Sequence, residues 1–161
     1  MFHGNVTLLV KSKIIMNWTE YFLNIAEQVK LKSKDNSTQI GAVIVGEDNE
    51  VLSTGYNSFP RGMDDTVSER QERPEKYFFM IHAEANAIVN AARTGVSVKN
   101  SKMYLTCAIP CAECAKLIIN SGVKEIFCKN TQDDVKGDIW IESKKKTIIM
   151  FEECGIKVNF Y

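Results

Sequence analysis

The second half of this chain alternates short apolar runs with longer segments of helical periodicity, and this alternation constrains the fold more than any other feature of the sequence. The segments are a strand at 102–107, a helix at 111–121, a strand at 124–128, a helix at 138–153 and a strand at 156–160. Strands that are joined through helices run parallel to one another. The pattern therefore predicts a parallel sheet region with helices packed against it.

The first half predicts a helix and a hairpin. Asn17 with Glu20 three residues later is a helix start, and helical spacing continues to about Lys32. Apolar runs at 40–45 and 50–56 flank a turn and predict an antiparallel hairpin. After a long loop at 57–77, a helix is predicted at 82–93. We expect an α/β, three-layer fold: a mixed five-stranded sheet with helices on both faces.

The expected domain organisation is an N-terminal extension at 1–15 followed by a single domain at 16–161. Helical packing assigns four apolar residues of the helix at 82–93 to the core: Ala85, Ile88, Val89 and Ala92.

The charge balance argues against a nucleic-acid polymer as partner. Lys plus Arg and Asp plus Glu both number 20, so the net charge is zero and there is no general basic field. No apolar run approaches the roughly 18 residues of a membrane span, and no signal-peptide cleavage site follows the first residues. These observations predict a small substrate, no membrane contact and a cytoplasmic location.

The five cysteines are an odd number in a chain of intracellular character, where metal binding or burial is a commoner use than a disulfide. Cys107, Cys128 and Cys154 lie in or beside apolar runs, and we expect them to be buried as small hydrophobic side chains.

Two short motifs carry the chemistry. His82 and Glu84 are two residues apart, which in mid-helix would point them apart, but a helix that begins there lets both converge. Cys111 and Cys114 are three apart and lie on one face of a helix that Pro110 opens. Both helix N-termini favour thiolate over thiol.

One nitrogen and two sulfurs are three ligands, which leave a tetrahedral zinc ion one position for water. Zinc lowers the pKa of such a water to about 7, and Glu84 is free to act as general acid and base. The joint pattern of His-x-Glu and Pro-Cys-x-x-Cys is the signature of zinc nucleoside and nucleobase deaminases.

Other interpretations exist for each part. A lone His82 is compatible with an ordinary surface or core histidine, and Cys-x-x-Cys alone with a redox pair or half of a structural zinc site. A structural site needs four ligands, however, and the only other histidine is His3 in the N-terminal extension.

On these residues the chain resembles the zinc-dependent cytidine deaminase superfamily, and within it the deoxycytidylate (dCMP) deaminases of phage or viral type. The likeness covers about 18–160. The segments that carry it are 33–35, 41–45, 55–62 with 64–65, 82–88, 110–119 and 121–124.

The resemblance implies zinc on the same three ligands and conversion of dCMP to dUMP and ammonia, which supplies the precursor of thymidylate. It implies that Glu84 protonates N3 of the pyrimidine and then the leaving amine. Asn57 is implied to hold the deoxyribose hydroxyl, the backbone N–H of Ala83 to meet the base carbonyl, and a main-chain carbonyl near Ile109 to accept from the amino group.

Ser33, Lys34 and Arg61 are candidates for binding the phosphate, since a monophosphate requires charge-assisted donors. For Lys34 and Arg61 the alternative is a solvated loop charge. Family members are commonly hexamers, activated by dCTP with Mg²⁺ and inhibited by dTTP. Arg93 is the candidate for a regulatory role, and its alternative is an arginine that complements the helix dipole.

The chain departs from the family at two places. The loop at 129–134 lacks the aromatic residue that relatives place near the substrate ring, and the next aromatic is Trp140. The long loop lacks the extra His and Cys of some phage relatives, so no second zinc is expected. The alternatives to dCMP deamination are a tRNA or polynucleotide deaminase, and an inactive nucleotide-sensing zinc module; an intact Glu84 argues against the latter.

Overall fold

The computed structural model describes residues 15–130 and 138–161, and in this part of the chain five strands form one mixed sheet. The strand order is β2-β1-β3-β4-β5, with β1 antiparallel to β2 and β3, and β4 parallel to β3 and β5. The strands are β1 (Gly41–Val45), β2 (Val51–Tyr56), β3 (Lys102–Leu105), β4 (Glu125–Cys128) and β5 (Lys157–Phe160). The predicted mixed five-stranded sheet is confirmed.

Helices cover both faces of this sheet. They are α1 (Trp18–Lys30), α2 (Lys76–Phe79), α3 (Ala83–Thr94), α4 (Ala112–Ser121) and α5 (Asp138–Glu153), with a 3-10 helix at Ser68–Gln71. Phe22 of α1 packs with Val43 and Tyr104 on one face, while Ile44 and Met103, which alternate with them along β1 and β3, join the core beneath α3, α4 and α5. Period-two alternation in the central strands thus produces three layers.

Two glycines allow helices to approach the sheet closely. A Cβ at Gly55 would overlap the backbone of α3 at Ala83 and Ala87, and one at Gly41 would overlap α1 at Ala26. Only a residue without a side chain fits between a strand and a helix at such a distance. Gly55 therefore sets how closely the first turn of α3 packs on β2.

The buried face of α3 differs from the one predicted. Val89 is 55% exposed and Ala92 is also exposed, whereas Ala83, Ala87 and Ala91 are buried. Ala83, Ala87 and Ala91 recur every four residues and face the sheet, where Gly55 contacts the first two. Val89 is two residues from Ala87, or about 200° around the helix, and therefore points outward. Ala85 and Ile88 are partly buried against the core.

Other expectations also need adjustment. Cys128 is buried as predicted, Cys107 is half-buried, and Cys154 is exposed, because it follows the last turn of α5. The predicted loop at 57–77 contains the 3-10 helix and the start of α2. The predicted extension at 1–15 lies outside the described residues except for Ile15. Most of the loop at 129–134, which lacks an aromatic residue, also lies outside them. Within the described part, no helix has the length and apolarity to cross a membrane.

Candidate metal centre

Two helix starts bring the predicted metal ligands together. His82 is the N-cap of α3 with φ −70° and ψ 153°, and Cys111 is the N-cap of α4 with φ −70° and ψ 164°. Neither side chain caps its own helix, so both are directed to the space between the two helices. Cys114 follows in the first turn of α4 and is buried.

The three donor atoms have the separation that a tetrahedral zinc ion requires. His82 Nδ1 lies 3.5 Å from Cys111 Sγ and 3.4 Å from Cys114 Sγ. Bond lengths of about 2.3 Å to sulfur and about 2.0 Å to nitrogen place the two ligand types about 3.5 Å apart in a tetrahedron. The residues therefore fit zinc, with Nδ1 as the histidine donor.

Electrostatics at the cluster favour a thiolate at Cys111 and a protonated thiol at Cys114. A hydrogen bond from the Cys114 thiol lowers the pKa of Cys111 to about 4 and raises the pKa of Cys114. The hydrogen bond with Cys111 raises the pKa of His82 to about 9. Because thiolate sulfur and neutral imidazole are the forms that bind a metal cation, binding of an ion at these three side chains would release protons.

Glu84 lies beside the ligands without being one of them. Among the described residues the cluster of metal-compatible donor atoms consists of His82, Cys111 and Cys114. Glu84 is in the first turn of α3 and is 3% exposed. Burial raises the pKa of its carboxyl, and the charge of His82 partly opposes the rise. A raised carboxyl pKa suits a group that both gives and takes a proton near neutral pH.

Asn57 lies in a dense hydrogen-bond network after β2. Its Oδ1 accepts from Ser33 Oγ at 2.7 Å and from the Ile40 N–H at 2.8 Å. Its Nδ2 donates to Asp35 Oδ2 at 3.2 Å and to the Thr38 carbonyl at 2.6 Å. These four bonds use the full capacity of the amide, so a contact between Asn57 and a substrate hydroxyl requires exchange of one of them.

The candidate cations are placed away from the metal ligands. Lys34 Nζ pairs with Asp65 at 2.8 Å, and Arg61 Nη2 donates to Asn90 Oδ1 at 2.7 Å. Lys34, Arg61 and Arg93 line a cavity of about 450 Å³, together with Asn90 and other residues. Eight residues at about 1.5 Å each separate Asn90 from His82 along α3, or about 12 Å. Arg61 and Arg93, predicted to have different roles, therefore share one cavity.

Four residues near the site were not predicted from the sequence to be functional. Trp140 of α5 stacks on His82 with ring centroids 6.2 Å apart, and Ser143 and Thr147 of the same helix contact the loop of Cys111. Lys76 contacts Asp35 in the network around Asn57. Of the four, only Trp140 could have been found from the sequence, because it is the first aromatic residue after the loop at 129–134.

Comparison with known proteins identifies the family of this site. A family model described as the cytidine and deoxycytidylate deaminase zinc-binding region matches residues 16–130. A probable deoxycytidylate deaminase of Caenorhabditis elegans is 42% identical over 117 residues, or 71% of this chain and 58% of that protein. The deoxycytidylate deaminase of Homo sapiens is 40% identical over 117 residues, or 70% of this chain and 64% of that protein. The matched region thus spans less than two thirds of either relative.

Solved structures agree with the observed architecture. The apo crystal structure of dCMP deaminase from the cyanophage S-TIM5 has a TM-score of 0.67 and 25% identity, and covers 89% of this chain and 96% of that one. The same enzyme in complex with dCMP and dUMP has a TM-score of 0.70 and 24% identity, covering 91% and 100%. The predicted α/β fold of this class is confirmed.

Proposed function

This chain belongs to the cytidine and deoxycytidylate deaminase zinc-binding family, and from that membership we propose that it hydrolyses dCMP to dUMP and ammonia. The observation that carries the proposal is the approach of His82 Nδ1 to the two thiols, with the buried carboxyl of Glu84 in the first turn of the same helix. The substrate is the one named for the relatives and bound by the cyanophage enzyme. The proposed catalytic domain is 16–161.

The protein groups have separate tasks in this reaction. Zinc held by His82, Cys111 and Cys114 supplies a Lewis acid and an activated water when bound. Glu84 takes one proton from the attacking water and delivers it to N3 of the pyrimidine, and it then transfers the second proton of that water to the amine, which leaves as ammonia. Its burial excludes bulk water, so that proton exchange occurs with the substrate rather than with solvent.

The contacts proposed for the substrate use groups at the same two helix starts. The N–H of Ala83 is one of the first amides of α3, which lack a carbonyl partner within the helix, and it is assigned to the base carbonyl. The half-buried Ile109 precedes α4, and its carbonyl is assigned to the amino group. Ser33 and Asn57 are assigned to the sugar and phosphate, with Lys34 as the charged donor.

A comparison of four substrates tests this function. Zinc-loaded protein is incubated with dCMP, dCTP, deoxycytidine and a single-stranded oligonucleotide, and the uracil product is measured. We expect dCMP to have the highest kcat/KM. A preference for the oligonucleotide indicates a polynucleotide deaminase, and nucleotide binding without turnover indicates a sensing module; either result overturns the proposal.

Regulation by nucleotides is part of the proposal, and the cavity along α3 supports it. Three cations, Lys34, Arg61 and Arg93, line it, and within residues 15–130 and 138–161 only Lys34 has a carboxylate partner there, Asp65. An excess of positive charge suits a polyphosphate such as dCTP or dTTP, with Mg²⁺ bound to the nucleotide. We therefore assign Arg93 to the effector, and Arg61 remains, with Lys34, a candidate for the substrate phosphate.

Effector titration tests that assignment. We expect dCTP with Mg²⁺ to lower the dCMP concentration needed for half-maximal rate, and dTTP to raise it. Replacement of Arg93 by Met removes a guanidinium from the cavity and is expected to abolish both shifts. Equal shifts in the variant and the parent protein would assign Arg93 to the helix dipole alone.

We further propose that the protein is a hexamer and that it is of phage or viral origin. Its proposed location is the cytoplasm, which for a viral gene is that of the host. Sedimentation of the zinc-loaded protein measures the number of chains.

A further inference from the structure

Helix α5 holds the peptide groups on both sides of Cys111. The N–H of Ala112 donates to Ser143 Oγ at 2.8 Å, and Thr147 Oγ1 donates to the carbonyl of Pro110 at 3.0 Å. The first bond restrains the peptide that follows Cys111, and the second restrains the peptide that precedes it. Since only φ and ψ of Cys111 lie between these two planes, the direction of its side chain is set by α5.

The side chain of Cys111 does not cap the helix that it begins. An N-cap residue normally accepts from an amide of the first turn of its own helix, but the Cys111 side chain makes no such bond and faces His82 instead. Ser143 accepts from the amide of Ala112, the first of α4, whereas an N-cap side chain bonds to the second or third amide. Ser143 and Thr147 are four residues apart and so lie on the same face of α5.

The same face of α5 also reaches a second ligand. Trp140 is three residues before Ser143, and its ring stacks on that of His82 with an angle of 29° between the planes. Thr147 has no exposed surface and Ser143 is half-buried, so these contacts belong to a packed interface. One helix therefore contacts the surroundings of two ligands, and it lies outside the residues 16–130 matched by the family model.

We propose that Ser143 and Thr147 are positioning residues of the metal centre, which hold Cys111 in the geometry that retains zinc. They act through the backbone of a ligand and touch neither substrate nor metal. This role rests on the zinc site of the proposed function, and it does not depend on the substrate.

Zinc release tests the proposal in the full-length, zinc-loaded protein. The variants are Ser143→Ala and Thr147→Val, and the rate of zinc transfer to a chromogenic chelator is measured. We expect release to be faster and affinity lower by about 10- to 100-fold, the usual effect of losing such supporting groups. Thr147→Ser keeps the hydroxyl and is expected to retain the parental rate.

Ser101→Ala is the matched control. Ser101 has no exposed surface and donates to the Val98 carbonyl at 2.6 Å, at the other end of β3 from the loop of Cys111. We expect it to lower the melting temperature without faster zinc release. If the α5 variants behave in the same way as Ser101→Ala, the proposal is overturned.

The zinc-release experiment can fail or succeed independently of the proposed deamination of dCMP. A parent protein that retains zinc without deaminating dCMP contradicts the proposed function and leaves the release experiment valid. A parent protein that binds no zinc contradicts both.

Discussion

Lys76 Nζ lies 2.6 Å from Asp35 Oδ1, and both side chains are buried although 41 positions separate them in the chain. Lys76 also donates to Ser37 Oγ at 2.6 Å. The pair joins the segment before β1 to the segment before α3, and Asp35 in turn accepts from Asn57. It therefore connects two parts of the proposed substrate site.

Breaking this ion pair from either side is expected to destabilise the protein strongly. Asp35→Asn or Lys76→Met leaves one charge buried without its partner, which costs about 3–5 kcal/mol. The double variant is expected to lose less than the sum of the two single variants. Urea unfolding of the four proteins measures the free energies.

The exposed pair of Lys116 and Glu113, with Nζ and Oε1 2.7 Å apart, is the control. Lys116→Met is expected to change the free energy of unfolding by about 0–1 kcal/mol. Additive effects of Asp35→Asn and Lys76→Met would contradict the coupling.

The carboxylate of Asp35 is expected to make the stability of the protein sensitive to acid. Burial acts to raise the pKa of Asp35, but hydrogen bonds from Lys76 and from the amides of Ser37 and Thr38 outweigh it, so the pKa is lowered. Its contribution to stability is present above the unfolded pKa of about 3.9 and is lost as the pH falls through the folded pKa.

We therefore expect the difference in unfolding free energy between the parent protein and Asp35→Asn to be constant near neutral pH and to shrink below about pH 4. Both proteins are measured with a chelator present, so that zinc contributes nothing to the difference. A difference that persists undiminished to pH 3 would show that the ionised form of Asp35 is not the stabilising one.

Gly55→Ala is expected to disturb the metal centre from outside it. The added methyl group would overlap the backbone of Ala83 and Ala87 and push the start of α3 away from β2. Such overpacking costs about 1–3 kcal/mol, and we expect a higher rate of zinc release as well.

Gly41→Ala provides the matched comparison, since it makes the same kind of overlap with Ala26 of α1 on the opposite face of the sheet. We expect it to lower stability and to leave zinc release unchanged. If zinc release is equally fast in both variants, the position of α3 does not control retention of the metal, and the prediction is wrong.

Glu84→Gln tests the proton carrier. The amide cannot transfer a proton, whereas the three metal ligands are untouched, so we expect zinc to be retained and kcat for dCMP to fall by about 10²- to 10⁴-fold. Glu113→Gln is the control, because Glu113 lies between the two cysteines in sequence but is exposed and paired with Lys116. If Glu84→Gln keeps the parental rate, the assignment of Glu84 as the proton carrier is wrong.

Local patterns were enough to predict the metal centre, but not what supports it. His82 and Cys111 lie where helices begin, and helix starts have signatures within a few residues of sequence. Lys76, in contrast, lies next to a charged run that resembles a solvated loop, and its burial depends on Asp35 far away in the chain. Which face of α3 is buried also depends on a distant residue, since Gly55 lets Ala83 and Ala87 pack against the sheet.

The family model ends at residue 130, yet the hydroxyls that hold Cys111 come from residues 143 and 147. The residues matched by the family model thus include the three candidate ligands and exclude the two hydroxyls that bond to the peptides around Cys111. Residues 16–130 contain His82, Cys111 and Cys114, whereas the proposed mechanism of metal retention also requires α5, which follows them in the chain.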